Sequence, residues 1–177
     1  PHASSSAASD VYKRQTSNWH VWHQSLGDGN NYVLLNSTGA KANDSYEYVS
    51  SIGSSTVSLA GGPGSYDEVA YFFRGIQGYS KFGSYTAICN ADGPFNYMGF
   101  KPAFVIFKRT DGGTSAWQVH DRTRETTNDG SSPALKPNAT DAEFSKNVDF
   151  LSNGIKIRDT SSDLNGGSGQ TYIYMAF

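Results

Sequence analysis

The sequence predicts an all-β protein, built as an antiparallel β-sandwich or jelly roll in tandem repeated units. Three observations lead to this fold class. Aromatic residues are abundant, with 11 Tyr and 10 Phe, and 19 Gly accompany them. Short alternating or apolar runs of strand length are bounded by turn-forming residues. The same motifs recur in the same order at a spacing of about 100 residues, which suggests duplicated units.

Four pairs of segments carry this internal repeat, and their spacing drifts slowly, as loop insertions would make it do. The pairs are Trp19–His23 with Trp117–Asp121, Asn36–Ala40 with Asn138–Ala142, Gly61–Gly64 with Gly166–Gly169, and Val69–Phe73 with Ile173–Phe177. We therefore expect residues 16–78 to form the C-terminal part of a first unit. Residues 79–177 would form a second unit, truncated at its C-terminal end.

Residues 1–15 are set aside from this division. They resemble translated sequencing-adapter read-through, a contaminant of assembled environmental reads, and non-native segments do not belong in fold reasoning. A disordered leader rich in Ser and Ala is the alternative. We expect the chain to be an internal fragment of a longer protein, so the lack of a signal segment gives no information on localisation.

Charge and hydropathy argue against two classes of partner. The net charge is −2, which provides no basic surface for nucleic acid. No apolar run approaches the roughly 18 residues of a membrane-spanning helix. The single Cys89 rules out an intrachain disulfide framework and a thiolate zinc site, and we expect its thiol to be buried or semi-buried.

Strand candidates are short and follow one another at fairly regular intervals, as in a sandwich. In chain order they are Trp19–Gln24, Tyr32–Leu35, Thr56–Ala60, Glu68–Phe73, Tyr79–Tyr85, Phe104–Phe107, Ala116–Asp121, Val148–Ser152, Ile155–Arg158 and Thr171–Phe177. The continuous apolar run Phe104–Phe107 predicts a strand covered on both faces. Asn153-Gly154 predicts a hairpin with a type I′ turn. Residues 138–146 could hold one short helical turn.

Two sets of polar residues could suggest a metal or catalytic site, but neither is favoured. His20 and His23 are three apart on a strand, so their rings should point to opposite faces. His120, Asp121, Arg122, Arg124 and Glu125 form the most polar cluster, but no nucleophile motif accompanies them. We expect a solvated loop or a polar binding rim there, and we assign no catalytic residue, metal ligand or cofactor.

A third polar segment leaves two interpretations open. Asp159, Ser161, Asp163 and Asn165 place oxygen-bearing side chains two residues apart, which loosely matches a calcium loop. The bidentate Glu that should follow is missing. The same residues are also ordinary turn formers.

Exposed aromatic residues are a common device for contacting sugars or proteins. Trp22 is expected on the face of its strand opposite Trp19, so it could point outward or pack against a neighbouring unit. The candidate ligand contacts are Trp22, His20, His120 and Arg122.

Taken together, five segments resemble one family, a domain of unknown function that occurs, often in tandem, in tail-fibre and other virion proteins of marine phages. These segments are Gly78–Tyr85, Gly99–Arg109, Trp117–Asp121, Asp149–Arg158 and Thr171–Phe177. The resemblance covers residues 16–177. It departs at Thr86–Asn90, where family members usually carry a segment rich in Gly and Asn.

The resemblance implies a β-sandwich related in shape to concanavalin-type lectins, located in the virion and outside the host cell. Its partners would be host-surface polysaccharide or another receptor, together with other virion or tail-fibre subunits. The leading hypothesis is a non-enzymatic module for display or adhesion. The alternatives are a purely structural fibre spacer that binds no ligand and a glycan-cleaving tail enzyme.

Overall fold

The computed structural model describes residues 7–13, 18–43, 49–59, 68–125 and 127–177. Nearly every regular element there is a β-strand, and one short 3-10 helix, η1 (Gln24–Leu26), accompanies them. The strands are β1 (Ala7–Lys13), β2 (His20–Trp22), β3 (Asn31–Leu34), β4 (Ala42–Asn43), β5 (Ser51–Ile52), β6 (Val57–Ser58), β7 (Glu68–Arg74), β8 (Lys81–Thr86), β9 (Phe95–Tyr97), β10 (Phe104–Arg109), β11 (Gln118–Asp121), β12 (Ser132–Leu135), β13 (Phe144–Lys146), β14 (Val148–Leu151), β15 (Gly154–Ile157) and β16 (Thr171–Ala176).

Across the described residues, the strands form four antiparallel sheets. The five-stranded sheet has the order β4-β3-β2-β1-β7, and the six-stranded sheet has the order β13-β12-β11-β10-β16-β8. A three-stranded sheet has the order β14-β15-β9, and β5 pairs with β6 alone. The prediction of an all-β, antiparallel protein is confirmed.

The six-stranded sheet lies at the centre and is covered on both faces. One face packs against β14 and β15 through Phe107, Tyr172, Phe150 and Ile155. The opposite face packs against β2 and β3 of the five-stranded sheet. The layers resemble a β-sandwich because apolar residues on alternate positions of each strand fill the space between sheets.

β10 shows why the central sheet needs two partners. Val105 and Phe107 belong to one core cluster, whereas Ile106 belongs to the other. Successive side chains of a strand point to opposite faces, so a continuous apolar run must be buried on both sides. The prediction that Phe104–Phe107 is covered on both faces is confirmed.

The predicted hairpin is present, but its turn is not the expected one. Leu151 pairs with Gly154, so the two turn residues are Ser152 and Asn153. Neither Asn153 nor Gly154 has a positive φ, so the predicted type I′ turn is wrong. Gly154 instead allows β9 to approach, because a Cβ there would lie 2.2 Å from the carbonyl oxygen of Asn96.

Two other local expectations are wrong. Residues 144–146, where a helical turn was considered, form β13, which pairs with β12. Cys89 is exposed rather than buried, because it lies in an irregular segment after β8 with a φ of 52°.

β1 lies inside residues 1–15, the segment interpreted as non-native. It pairs with β2 on one side and with β7 on the other. The origin of this segment stays a prediction, since strand pairing does not depend on where a sequence comes from. Among the described residues, no helix is long and apolar enough to cross a bilayer.

Candidate ligand-binding cleft

Trp22 and His20 lie on β2, on the face opposite Val21. Only 7% of the Trp22 surface is exposed, and its indole nitrogen donates to the carbonyl oxygen of Asp28 at 3.2 Å. The sequence left open whether Trp22 points outward or packs against a neighbouring unit; in the structure it is buried, because the turn after η1 folds over the indole. His20 is half-buried and packs edge to face against Tyr32, with ring centroids 4.9 Å apart.

His120 and Arg122 are located in the six-stranded sheet and in the turn after it. His120 is fully buried on β11, where its Nδ1 lies 3.1 Å from the Ser132 hydroxyl. Burial lowers the pKa of His120 to about 4. Arg122 is exposed. The four candidate contacts thus lie on two separate sheets, and their role in ligand contact stays a prediction.

The polar cluster around Arg124 is held together by its own charges. The Arg124 guanidinium bonds to Asp121 at 2.6 Å and also contacts the Glu143 carboxylate. Buried Glu125 accepts hydrogen bonds from the backbone amides of Thr127 and Asn128. These carboxylates therefore organise the turn after β11.

The oxygen-rich loop after β15 is likewise organised by internal hydrogen bonds. Asp159 accepts from the backbone amide of Ser161 at 2.6 Å, and Asp163 accepts from the Ser115 hydroxyl at 2.8 Å. Asn165 bridges to Ile88 and Asn90. Within the described residues, no three His, Cys, Asp or Glu side chains are grouped as metal ligands would be.

A polar cleft of about 430 Å³ opens where three parts of the molecule meet: η1, the turn between β7 and β8, and the end of β9. We call it the junction cleft. Its lining residues are Gln24, Gly75, Ile76, Gln77, Ser80, Lys81, Phe82, Tyr97, Met98 and Gly99. Side-chain amides, an ammonium group and an aromatic ring thus surround one space.

The aromatic wall of the junction cleft is Tyr97, which is 63% exposed. On β9 the aromatic residues Phe95 and Tyr97 point outward, and Asn96 between them is buried. This inverts the usual pattern, in which aromatic residues face the core. The inversion leaves two rings on the outer face of a strand that borders the cleft.

The opposite rim is a turn held in one conformation by hydrogen bonds. The Ser80 hydroxyl donates to the Arg74 carbonyl at 2.8 Å and accepts from the Ile76 amide at 3.0 Å. Ile76 and Ser80 also form a β-bridge, and Gly78 supplies the positive φ that the turn requires. The rim that carries Gln77 is therefore preorganised.

The floor of the junction cleft is apolar and fixed. Phe82 and Met98 are both buried. The Gln24 side-chain amide donates to the Phe82 carbonyl at 2.9 Å, which holds this side chain at the mouth. The amides of Met98 and Gly99 both donate to the carbonyl oxygen of Asn153, which ties the floor to the β14–β15 hairpin.

Sequence reasoning missed the junction cleft. The sequence pattern around Phe95 and Tyr97 is misleading. Apolar–polar alternation predicts that these aromatic residues face inward, whereas both rings are exposed. Gln24 and Gln77 are ordinary polar residues whose proximity depends on how separate loops pack. Single-sequence patterns give no information on such long-range neighbours.

A second, apolar cavity of about 220 Å³ lies between the two large sheets. Val21, Tyr71, Ile106 and Met175 are among its walls. His23 also lines it, with Nδ1 accepting from the Ser25 amide and Nε2 lying 3.3 Å from the Tyr174 carbonyl. This geometry places the single ring proton on Nε2, and burial lowers the pKa of His23 to about 4. We interpret the cavity as imperfect packing between sheets.

Comparison with known proteins identifies a family but no characterised relative. No curated protein and no solved structure matches the chain. One family model matches residues 8–177, which is almost the whole chain. The chain therefore belongs to a family described as a domain of unknown function, DUF7483.

Proposed function

We propose that the chain is a non-enzymatic, glycan-binding module of a phage tail-fibre or virion structural protein. The observation that carries the proposal is the junction cleft, where exposed Tyr97 stands beside the polar side chains of Gln24, Gln77 and Lys81. The location in an extracellular virion rests on the family resemblance of residues 16–177.

Sugars present two kinds of surface, and the junction cleft offers a partner for each. The C–H face of a pyranose ring packs on an aromatic ring, as it could on Tyr97. The sugar hydroxyl groups need donors and acceptors, which the amides of Gln24 and Gln77 provide. A few placed polar groups around an apolar contact are typical of a small-ligand site.

Binding is favoured over cleavage by the chemistry of the lining. Glycoside hydrolysis needs two carboxyl groups that flank the scissile bond, about 5 to 10 Å apart. The described residues that line the junction cleft include amides, two hydroxyl groups and an ammonium group, but no carboxyl group. A glycan held there would be bound without the pair of carboxyl groups that hydrolysis requires.

The proposal includes two tandem units, and the two large sheets support it. The five-stranded sheet, taken from β7, runs β7-β1-β2-β3-β4. The six-stranded sheet, taken from β16, runs β16-β10-β11-β12-β13, with β8 added outside β16. The strands therefore correspond one to one in chain order as well as in spatial order. This correspondence matches β1 with β10, so the first proposed unit includes Ala7–Lys13, a segment interpreted from the sequence as non-native.

The register of the ladders supports the same correspondence. Val21 on β2 and Tyr71 on β7 pair with the same residue of β1, which lies between them. Val119 on β11 and Met175 on β16 likewise pair with the same residue of β10. The sequence repeat independently matches Val21 with Val119 and Tyr71 with Met175, so strand order and residue register agree.

The contact between the sheets is also symmetric. Val21 and Val119 are both partly buried and pack against the core cluster between the two large sheets. Phe73 and Phe177, which the repeat equates, meet edge to face with centroids 6.0 Å apart. Residues that contact their own counterparts lie on the axis of a two-fold arrangement.

The test is binding of the chain to an array of bacterial surface polysaccharides, displayed on beads because repetition raises avidity. We expect selective binding that Tyr97→Ala reduces by tenfold or more, roughly the loss of one good aromatic contact. Tyr71→Ala removes a comparably exposed ring on another strand and should leave binding unchanged.

Trp22→Ala separates this site from the one predicted by sequence. Because Trp22 is buried, its substitution should lower the unfolding temperature, whereas Tyr97→Ala should not. Absence of binding by well-folded, clustered protein would favour the structural spacer. Binding that survives Tyr97→Ala would place the ligand outside the junction cleft.

A further inference from the structure

β7 and β16 differ in what lies along their outer edges. β16 is paired on both sides, with β10 and β8. Among the residues that the structure describes, β7 pairs with β1 alone and closes the end of the five-stranded sheet. Tyr71 and Phe72 on β7 are 51% and 49% exposed, although they are large and apolar. An edge strand with exposed aromatic residues is a template for further pairing.

The backbone groups that face this open edge follow from the pairing of β16. The Gln170 carbonyl accepts from Ala87 beside β8, whereas the Thr171 carbonyl accepts from Thr110 beside β10. Peptide groups alternate along an antiparallel strand, so those of Tyr174 also face β8. Ala70 is the counterpart of Tyr174, and its N–H and C=O therefore face the open edge.

We propose that the open edge of β7 binds a strand with the sequence pattern of β8, Lys81–Thr86. The bound strand would lie beside β7 as β8 lies beside β16. The interaction is β-strand addition, in which main-chain hydrogen bonds supply affinity and alternate side chains supply specificity. This inference rests on the proposed tandem organisation. It does not depend on glycan binding at the junction cleft.

The register of the bound strand follows from the existing pair. Met175 lies opposite Phe82, and Tyr174 lies opposite Gly83. The bound strand should therefore place its Phe82 position opposite Tyr71 and its Gly83 position opposite Ala70. Ring-to-ring contact across the strands would cover the exposed face of Tyr71.

A strand paired with β7 would have more space opposite Ala70 than β8 has opposite Tyr174. A Cβ at Gly83 would lie 2.6 Å from the Tyr174 hydroxyl oxygen, so β8 needs glycine at that point. At the β7 edge, Ala70 replaces the tyrosine. A strand with alanine at the Gly83 position should therefore bind β7 as well as one with glycine.

The test is titration of the full chain with a synthetic peptide of residues 79–87. We expect saturable binding at one peptide per chain, and no binding of a scrambled peptide. Ala70→Pro removes the N–H that would donate to the peptide, while proline is tolerated where an edge strand faces solvent. It should weaken binding by about tenfold, the value of one lost hydrogen bond. Ala70→Val keeps the amide and should bind normally.

Disulfide trapping reads the register without relying on the proline variant. In a Cys89→Ser background, Val69→Cys should cross-link to a peptide carrying Ser84→Cys, and much more slowly to one carrying Gly83→Cys. Failure of the peptide to bind folded protein, equal binding by Ala70→Pro, or equal trapping at both positions would each overturn the proposal. Since polysaccharide binding is measured separately, either proposal can fail while the other stands.

Discussion

β7 closes the five-stranded sheet, whereas β16 lies inside the six-stranded sheet. Their residue types are similar, because each combines aromatic and aliphatic side chains. The Tyr172 side chain on β16 is buried, but Tyr71 on β7 is half exposed. The difference teaches that neighbouring strands, rather than the strand's own composition, decide how much apolar surface is buried. β16 has β8 beside it and the β14–β15 hairpin above it.

The first prediction contrasts a phenylalanine in each large sheet. Phe107→Ala should lower the free energy of unfolding by about 3 to 5 kcal/mol, because it empties a fully buried site. Phe72→Ala, on the half-exposed edge strand, should cost about 1 kcal/mol or less. Urea denaturation measures both. Equal losses would show that the two sheets are equally well packed.

The second prediction uses the two buried histidines, which both contact the six-stranded sheet. Burial lowers the pKa of His23 and of His120 to about 4, whereas an unfolded histidine titrates near 6.5. Between these values the unfolded chain binds more protons. Stability should therefore be complete above pH 6.5 and should fall as the pH drops towards 4.

Each histidine should contribute up to roughly 3 kcal/mol to this loss. Urea denaturation between pH 7 and pH 4.5 measures it. The variants His23→Gln and His120→Gln should each remove part of the pH dependence of the free energy of unfolding. The double variant should remove most of it. A wild-type stability that stays constant over this range would contradict the assignment.

The third prediction compares two hairpins, and the expected effect is the smallest. Gly154→Ala drives a Cβ into the Asn96 carbonyl of β9 and should cost about 1 to 3 kcal/mol. Gly53→Ala in the β5–β6 hairpin meets the Thr56 hydroxyl at 2.8 Å, and this side chain can rotate away. Its effect on the unfolding temperature should be slight. A larger loss at Gly53 would mean that the smaller hairpin is the more tightly packed.

The sequence predicted those parts of the fold where the pattern is local. The apolar run at Phe104–Phe107 predicted a strand buried on both faces. The two apolar runs that contain Val148 and Ile157, separated by turn-forming residues, predicted a hairpin. β12 was missed because Pro133 interrupts the strand pattern. β13 was mistaken for a helical turn, because its pairing with β12 is not visible in a short window.

The candidate site could not be predicted in the same way. The position of Trp22 was left open between outward and packed, because strand alternation says nothing about a turn that folds back over a side chain. Tyr97 was missed because its outward position depends on burying Asn96 beside Gly154. Both positions depend on the packing of separate segments of the chain. Such contacts do not appear in the hydrophobic periodicity of the sequence.

The contact of Phe73 with its counterpart Phe177 has a consequence for larger assemblies. If the two large sheets belong to two repeated units, as proposed, the surface through which the units meet is consumed in both and the contact is closed. A third unit must attach elsewhere. A fibre built from such units would therefore lengthen in pairs, and an odd number of units would leave one large sheet with an uncovered face.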